Sequence, residues 1–223
     1  MKFNILLIWL FVLVATYCFA QPTNTGNWLM YIGNNKIAKR FNLHNEIQYR
    51  NYNALSDLEQ LLIRAGIGYN ISENNNNILL GYGYIASERY VNTTDKVRTE
   101  EHRLFQQFIT RQNFNRIFIQ HRYRVEERFL KNDFKVRFRY FVSLNIPITK
   151  KEMIQNALYL SVYNELFVSN TTPVFDRNRL YGAIGFVINK SFRVEAGFMS
   201  QILEKTHREQ FQIGFYNNLS FIK

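Results

Sequence analysis

The side chains with the most chemistry to offer sit in residues 115–148, NRIFIQHRYRVEERFLKNDFKVRFRYFVSLNIPI. Read by twos, Gln120, Arg122, Arg124, Glu126 and Arg128 share one track, and Arg137 and Arg139 continue it beyond Lys131-Asn132-Asp133. Glu46, Arg50, Arg64, Glu165, Arg179, Arg193 and Glu195 occupy the equivalent track in other segments. Guanidiniums and carboxylates at that spacing suit two chemistries. One is a constriction or binding site for a small anionic solute. The other is a ladder of ion pairs filling an interior, where paired charges persist and isolated ones are too costly. The ladder is the expectation, because a narrow barrel has an interior just wide enough for side chains.

Other reactive groups form no pattern of comparable weight. His44 and Glu46 share a face two residues apart, but a zinc site needs three or four ligands and no third is in view. No metal and no other cofactor is expected. His102, His121 and His207 have no patterned nucleophile beside them. His121 lies on an apolar track, where a membrane-embedded lipid hydrolase would carry its base, yet no Gly-x-Ser-x-Gly signal accompanies it. Gly66-x-Gly68, Gly81-x-Gly83 and Gly182-x-x-Gly185 precede no predicted helix, so they are expected to mark close packing rather than phosphate loops. Trp28, Tyr31, Tyr49, Tyr90, Phe141 and Tyr163 are expected in an interface girdle or in lumen packing rather than as sugar-stacking platforms.

These groups must be positioned by strands, since a period of two puts successive side chains on opposite faces. Opposite the charged track run Ile117, Ile119, His121, Tyr123 and Val125, then Val136, Phe138, Tyr140, Val142, Leu144 and Ile146. A sheet covering a soluble core seldom sets so many arginines beside so aromatic an apolar face. A transmembrane barrel strand does, with roughly 9–11 residues crossing the bilayer. The same alternation recurs over 41–50, 61–71, 80–89, 158–168, 179–188, 193–201 and 210–221. A first strand at 28–32 is expected to end in a turn at Gly33-Asn34-Asn35, and 100–112 has mixed tracks that give it no orientation. That makes eleven strands. Single-chain bacterial barrels close with an even number, so the expectation is all-β, an antiparallel up-and-down transmembrane β-barrel of 10–12 strands, with ten or twelve as the closed count. Connections are expected to alternate short and long. A soluble lipocalin-like barrel has the same periodicity with its faces exchanged.

Composition agrees with strands rather than helices. The 223 residues are 47% hydrophobic and 16% aromatic, yet mean hydropathy is only -0.26, as when each apolar residue is averaged with a polar neighbour. Residues 1–20 read as a secretory signal: Lys2, an apolar stretch from Ile5 to Ala15, and Cys18-Phe19-Ala20 as the cleavage site. Tyr17 stands where a lipoprotein signal wants a small residue, so cleavage after Ala20 is expected, leaving 21–223 as the barrel. Cys18 is the only cysteine, so the exported chain would have neither disulfides nor thiol chemistry. The formal charge is +11, one less once Lys2 leaves. No nucleic-acid motif is present and export removes the chain from nucleic acid, so membrane lipid and the phosphates of lipopolysaccharide are the expected counter-charge.

The segments GNWLMYIGNNKI and HNEIQYRNYN, followed by EEHRLFQQF, HRYRVEERF, YNELF and FDRNRLY, resemble an uncharacterised domain-of-unknown-function family of short outer-membrane barrels in Gram-negative bacteria. The resemblance covers about residues 25 to 221. It implies a barrel in the bacterial outer membrane and brings no activity with it. The functional expectation is therefore a non-enzymatic outer-membrane barrel, structural or engaged in surface interactions, with a charge-filled lumen. The alternative is a narrow anion-selective pore lined by arginine, with a membrane-embedded lipid hydrolase behind both.

Overall fold

Side chains that alternate along each strand leave it with one apolar and one polar face, and closing the sheet on itself sorts the two onto opposite walls. The computed structural model describes residues 25–53, 56–72 and 75–222, and the signal-peptide segment lies outside the described residues. Eleven strands follow one another: β1 (Gly26–Lys36), β2 (Phe41–Asn51), β3 (Leu58–Asn70), β4 (Asn76–Tyr90), β5 (Lys96–Phe114), β6 (Ile117–Leu130), β7 (Asp133–Pro147), β8 (Leu158–Ser169), β9 (Phe175–Val187), β10 (Phe192–Ile202) and β11 (His207–Asn217). Each pairs antiparallel with the next, and β1 pairs with β11 to close the barrel.

The closing pair corrects the expectation of an even count. With an odd number of up-and-down strands the first and last run the same way, so β1 and β11 are parallel, in register from Gly26↔Gln210 to Gly33↔Asn217. Parallel pairing is slightly weaker per residue, and the chain beyond β11 reinforces it. Lys36 N donates to Leu219 O at 2.8 Å, Phe221 N donates to Lys36 O at 2.9 Å, and Leu219 N reaches Asn35 Oδ1 at 3.0 Å. Those contacts also correct two boundaries. Gly33-Asn34-Asn35 is not a turn but part of β1, and β11 stops at Asn217, leaving Leu219 and Phe221 in the segment that crosses to β1.

The connections that follow β1, β3, β5, β7 and β9 lie at one end, the upper rim; those that follow β2, β4, β6, β8 and β10 lie at the other. Short and long turns do not alternate between the rims: two-residue turns occur at both, and the longest connection, 148–157, shares its rim with 115–116. Register rather than turn length fixes the faces.

The walls are sorted with apolar side chains outward. Ile67, Leu80, Phe138, Leu180, Ile184 and Phe198 are each more than half exposed on the outer wall, whereas Glu46, Arg64, Glu126 and Arg137 are buried inside. The lipocalin-like alternative, with these faces exchanged, is overturned. β5 also takes its orientation here: Glu101, Arg103, Phe105, Gln107 and Ile109 point inward, and His102, Leu104, Gln106 and Phe108 point outward.

One part of the outer wall is indented. A cross-strand row runs from Phe41 through Tyr69, Ile78, Phe108, Tyr123 and Tyr140 to Leu166, each residue opposite the next on β2 to β8. With Ile67, Leu80, Gln106, Val125, Phe138 and Val168 of the adjoining row, it lines a groove of about 730 Å³. Six strand spacings make it about 29 Å long. Phe41 opens β2 at the upper rim while Leu166 lies near the lower end of β8, so the groove descends the wall obliquely, as tilted strands require.

Candidate functional site

The lumen is the most elaborate chemical environment in the molecule, and cross-strand register builds it. Glu126 on β6 faces Arg137 on β7 directly, and Phe105 on β5 faces Glu126 from the other side. Glu126 is fully buried. Its Oε2 accepts from Arg137 Nε at 3.0 Å and Nη2 at 2.5 Å, and its Oε1 accepts from Arg139 Nη1 at 2.5 Å. Arg124 at 3.5 Å, Arg64 at 3.6 Å and Arg103 at 3.8 Å complete a shell of five guanidiniums around one carboxylate.

Further carboxylates extend this hub. Glu165 on β8 takes Arg122 at 2.6 Å, Arg139 at 2.5 Å and Arg179 at 3.6 Å, so Arg139 bridges Glu126 and Glu165. Glu101 holds Arg103 and Arg128, at 2.5 and 2.6 Å. Glu46 takes Arg64 at 3.1 Å, His44 at 3.4 Å and the amide of Gln48. Asp176 bonds Arg137 at 3.1 Å. Charge-assisted bonds of this kind are about twice as strong as neutral ones, and here they share few, central acids.

Aromatic rings supply the remaining contacts of the cations. Arg124 lies 4.6 Å over Phe105, and Arg139 and Arg179 lie 4.5 and 4.7 Å from Phe167. Trp28 is held between Arg50 at 3.7 Å and Arg179 at 4.8 Å. Desolvated cation–π pairs are worth about 2 kcal/mol. Gly81 makes the hub possible, since a Cβ there would sit 2.3 Å from Cζ of Phe105. Gly185 does the same for Tyr159, whose ring would stand 2.1 Å from an added Cβ.

The inner wall near the closing pair is different. Trp28, Met30, Tyr181, Ala183 and Met199 pack together with Tyr163, whose ring stacks on Tyr181 at 4.6 Å. Glu195 accepts from the hydroxyls of Tyr159 at 2.8 Å and Tyr216 at 3.2 Å, with Arg193 at 3.8 Å. Several buried polar atoms here have no partner among the described residues: Trp28 Nε1, Tyr181 OH, both side-chain heteroatoms of Gln210, and Gln212 Nε2.

Glu46, Arg50, Arg64, Arg122, Arg124, Glu126, Arg128, Arg137, Arg139, Glu165, Arg179 and Glu195 thus all lie on the inner wall, and most join one connected network. Glu195 stands apart from it, and Arg50 joins it only through Gln48, whose amide donates to Glu46. Arg50 donates to Gln48 and, at 2.7 Å, to Gln60. Glu101, Arg103, Gln107 and Asp176 belong to the network without having stood out in the sequence. Of the aromatic candidates, Trp28, Phe141 and Tyr163 turn inward, while Tyr49 and Tyr90 turn outward.

Polar groups on the outer wall satisfy one another. Tyr82 pairs with His102 at 2.6 Å, His121 with Tyr140 at 2.9 Å, and the amides of Asn164 and Asn178 bond reciprocally at 2.8 and 3.2 Å. At the lower rim, Tyr52, Asp57, Tyr90, His207 and Arg208 line a smaller cleft of about 540 Å³. Partial burial, then the neighbouring Glu59, raise the Tyr52 phenol above its ordinary pKa. Among the described residues no three His, Cys, Asp or Glu side chains gather as a metal site.

The model of a family described as Protein of unknown function (DUF2490) matches residues 25–212. The chain belongs to this family. The match runs from β1 into β11, so the family unit and the barrel coincide. No curated protein and no solved structure matches the chain.

Proposed function

We propose that the protein is an outer-membrane β-barrel whose lumen is filled by its own ion pairs, serving a structural or surface-interaction role rather than catalysis. The observation that carries this reading is the sorting of the walls. Apolar side chains cover the outside and the charges are sealed inside, an arrangement favourable in a bilayer and costly in water. Mutual pairing of the outward Tyr, His and Asn groups supports it, since an unpaired polar group facing hydrocarbon costs several kcal/mol. The leader-like residues 1–20 suit export, and membrane lipid and lipopolysaccharide are the partners this location supplies.

The burial of Glu126 and its five arginines supports a closed lumen. A water-filled channel would leave such side chains hydrated, as in wide porins. One observation favours the pore: seven buried arginines face five buried glutamates, an excess that suits a small anionic solute. Planar-bilayer recording of purified protein separates the two readings. A closed barrel gives no steady conductance in either wild type or Arg124→Ala. Steady anion-selective current in wild type, altered by Arg124→Ala, would establish the pore instead.

A further inference from the structure

We propose that the oblique groove on the outer wall seats one acyl chain of an anionic phospholipid, whose phosphate is held at the upper rim beside Lys39 and Arg40. The inference rests on the membrane reading above and adds to it a defined site, lipid class and polarity. Three observations carry it.

The first is shape. The groove is about 730 Å³ and runs about 29 Å across seven strands, the form of an extended chain rather than of a compact ligand. Gln107, Arg124 and Arg139 also border it but turn their side chains into the lumen; the outward side chains are apolar or tyrosine except for Gln106, whose amide is turned to Glu127 at 3.4 Å. Hydrocarbon filling the groove restores the dispersion contacts that an indentation in a wall otherwise forfeits.

The second is where the groove opens. Its upper end is formed by Phe41 and Tyr69, whose rings meet edge to face at 5.2 Å. Arg40 immediately precedes Phe41. Its Nη1 donates to the Tyr69 hydroxyl at 3.0 Å and its guanidinium lies 6.0 Å from that ring. A cation is therefore fixed at the mouth of an apolar channel, where the headgroup of a lipid lying in the channel would emerge.

The third is charge. The upper-rim connections carry Lys39, Arg40, Arg116, Lys150, Lys151 and Lys190 against two acids in the sequence, Glu73 and Glu152. The lower-rim connections carry Lys131 and Lys205 against Asp57, Asp95 and Glu204. Each basic side chain near an anionic membrane surface adds to the attraction, so the upper rim favours a phosphate-rich surface and the lower rim does not. Zwitterionic headgroups gain much less from the same cations.

Lipid-borne quenchers read the site directly. Tyr123→Trp places a reporter in the groove, and Phe198→Trp places one on β10, whose outer wall is outside it; Trp28 in the lumen is a shared baseline. Each folded variant, checked by heat-modifiable gel mobility, is reconstituted with brominated phosphatidylglycerol or brominated phosphatidylcholine at equal mole fraction. The expected result is quenching of the groove reporter at least three-fold greater with the anionic lipid, and equal quenching by both lipids on β10. Lys39→Gln with Arg40→Gln should bring the groove ratio to one. Equal quenching of the groove reporter by both lipids overturns the site while leaving the membrane reading intact. If neither reporter responds to either lipid, the membrane reading itself fails. Should Tyr123→Trp not fold, Phe108→Trp reports from the next strand.

Discussion

On the side of the lumen formed by β3, β5, β6 and β7, the buried carboxylates are all paired: Glu126 and Glu101 each reach at least two guanidiniums and Arg139 joins Glu126 to Glu165. Among the arginines there, only single guanidinium nitrogens of Arg64, Arg122 and Arg124 lack a hydrogen-bond partner among the described residues. On the side formed by β1, β9, β10 and β11, burial is as deep but matching is poor. Gln210 is 1% exposed with neither amide atom bonded, and Tyr181 is 2% exposed with a lone hydroxyl. The charged half is fixed by electrostatics and the closing half by apolar packing. Similar burial should therefore respond to substitution with opposite signs in the two halves, because losing a partner is costly and losing an orphan is a gain.

The largest effect is expected at Glu126. Glu126→Gln leaves five guanidiniums facing a neutral amide, and breaking a buried ionic cluster in this way costs about 3–5 kcal/mol. The measurement is the urea midpoint of barrel unfolding, followed by gel mobility. A shift no larger than that of a surface substitution would mean that the arginines do not depend on this carboxylate.

The outer wall gives the next contrast. Phe138 is 51% exposed on the indented face. Phe138→Arg is expected to cost about 2–4 kcal/mol in a bilayer, the range for a cation near the midplane of a barrel's lipid face. On a water-facing wall the same change would stay within about 0.5 kcal/mol. Unfolding from lipid vesicles distinguishes the two.

Gln210→Met should move the other way, raising stability by about 1–3 kcal/mol as two unbonded buried atoms give way to an apolar chain of similar length. Tyr181→Phe is the smallest of the series, a gain of about 1 kcal/mol from removing one unpartnered hydroxyl. Losses at both positions, measured by the same unfolding assay, would show that the closing half is hydrogen-bonded through internal water and would remove the contrast.

How far the sequence foretold the barrel varies from strand to strand. In β2, Phe41, Leu43, Ile47 and Tyr49 alternate with Asn42, His44, Glu46, Gln48 and Arg50, broken only by Asn45 on the apolar track, and periodicity alone separates the faces. In β5 it does not, because Phe105 and Ile109 point in while His102 and Gln106 point out. Their environments come from Gly81 and Arg124 on one wall and from Tyr82 and Glu127 on the other, contacts between strands that a linear pattern does not contain. For the same reason, the charged track was legible but its pairing was not. Glu126 becomes the hub through its register with β7 and the convergence of β3 and β5 inside the barrel. The parallel closure joins the first strand to the last, and no local signal announces it. Gly33-Asn34-Asn35 reads as a turn by composition, yet the C-terminal segment supplies backbone partners that keep β1 extended through it.

The central claim is that the apolar wall faces lipid. It is tested most directly by expressing the full chain in a Gram-negative host, separating outer membrane, inner membrane and periplasm, and comparing boiled with unboiled samples on a gel. The account predicts recovery from the detergent-extracted outer membrane as a band whose mobility changes on heating. Recovery as a soluble periplasmic protein would contradict it.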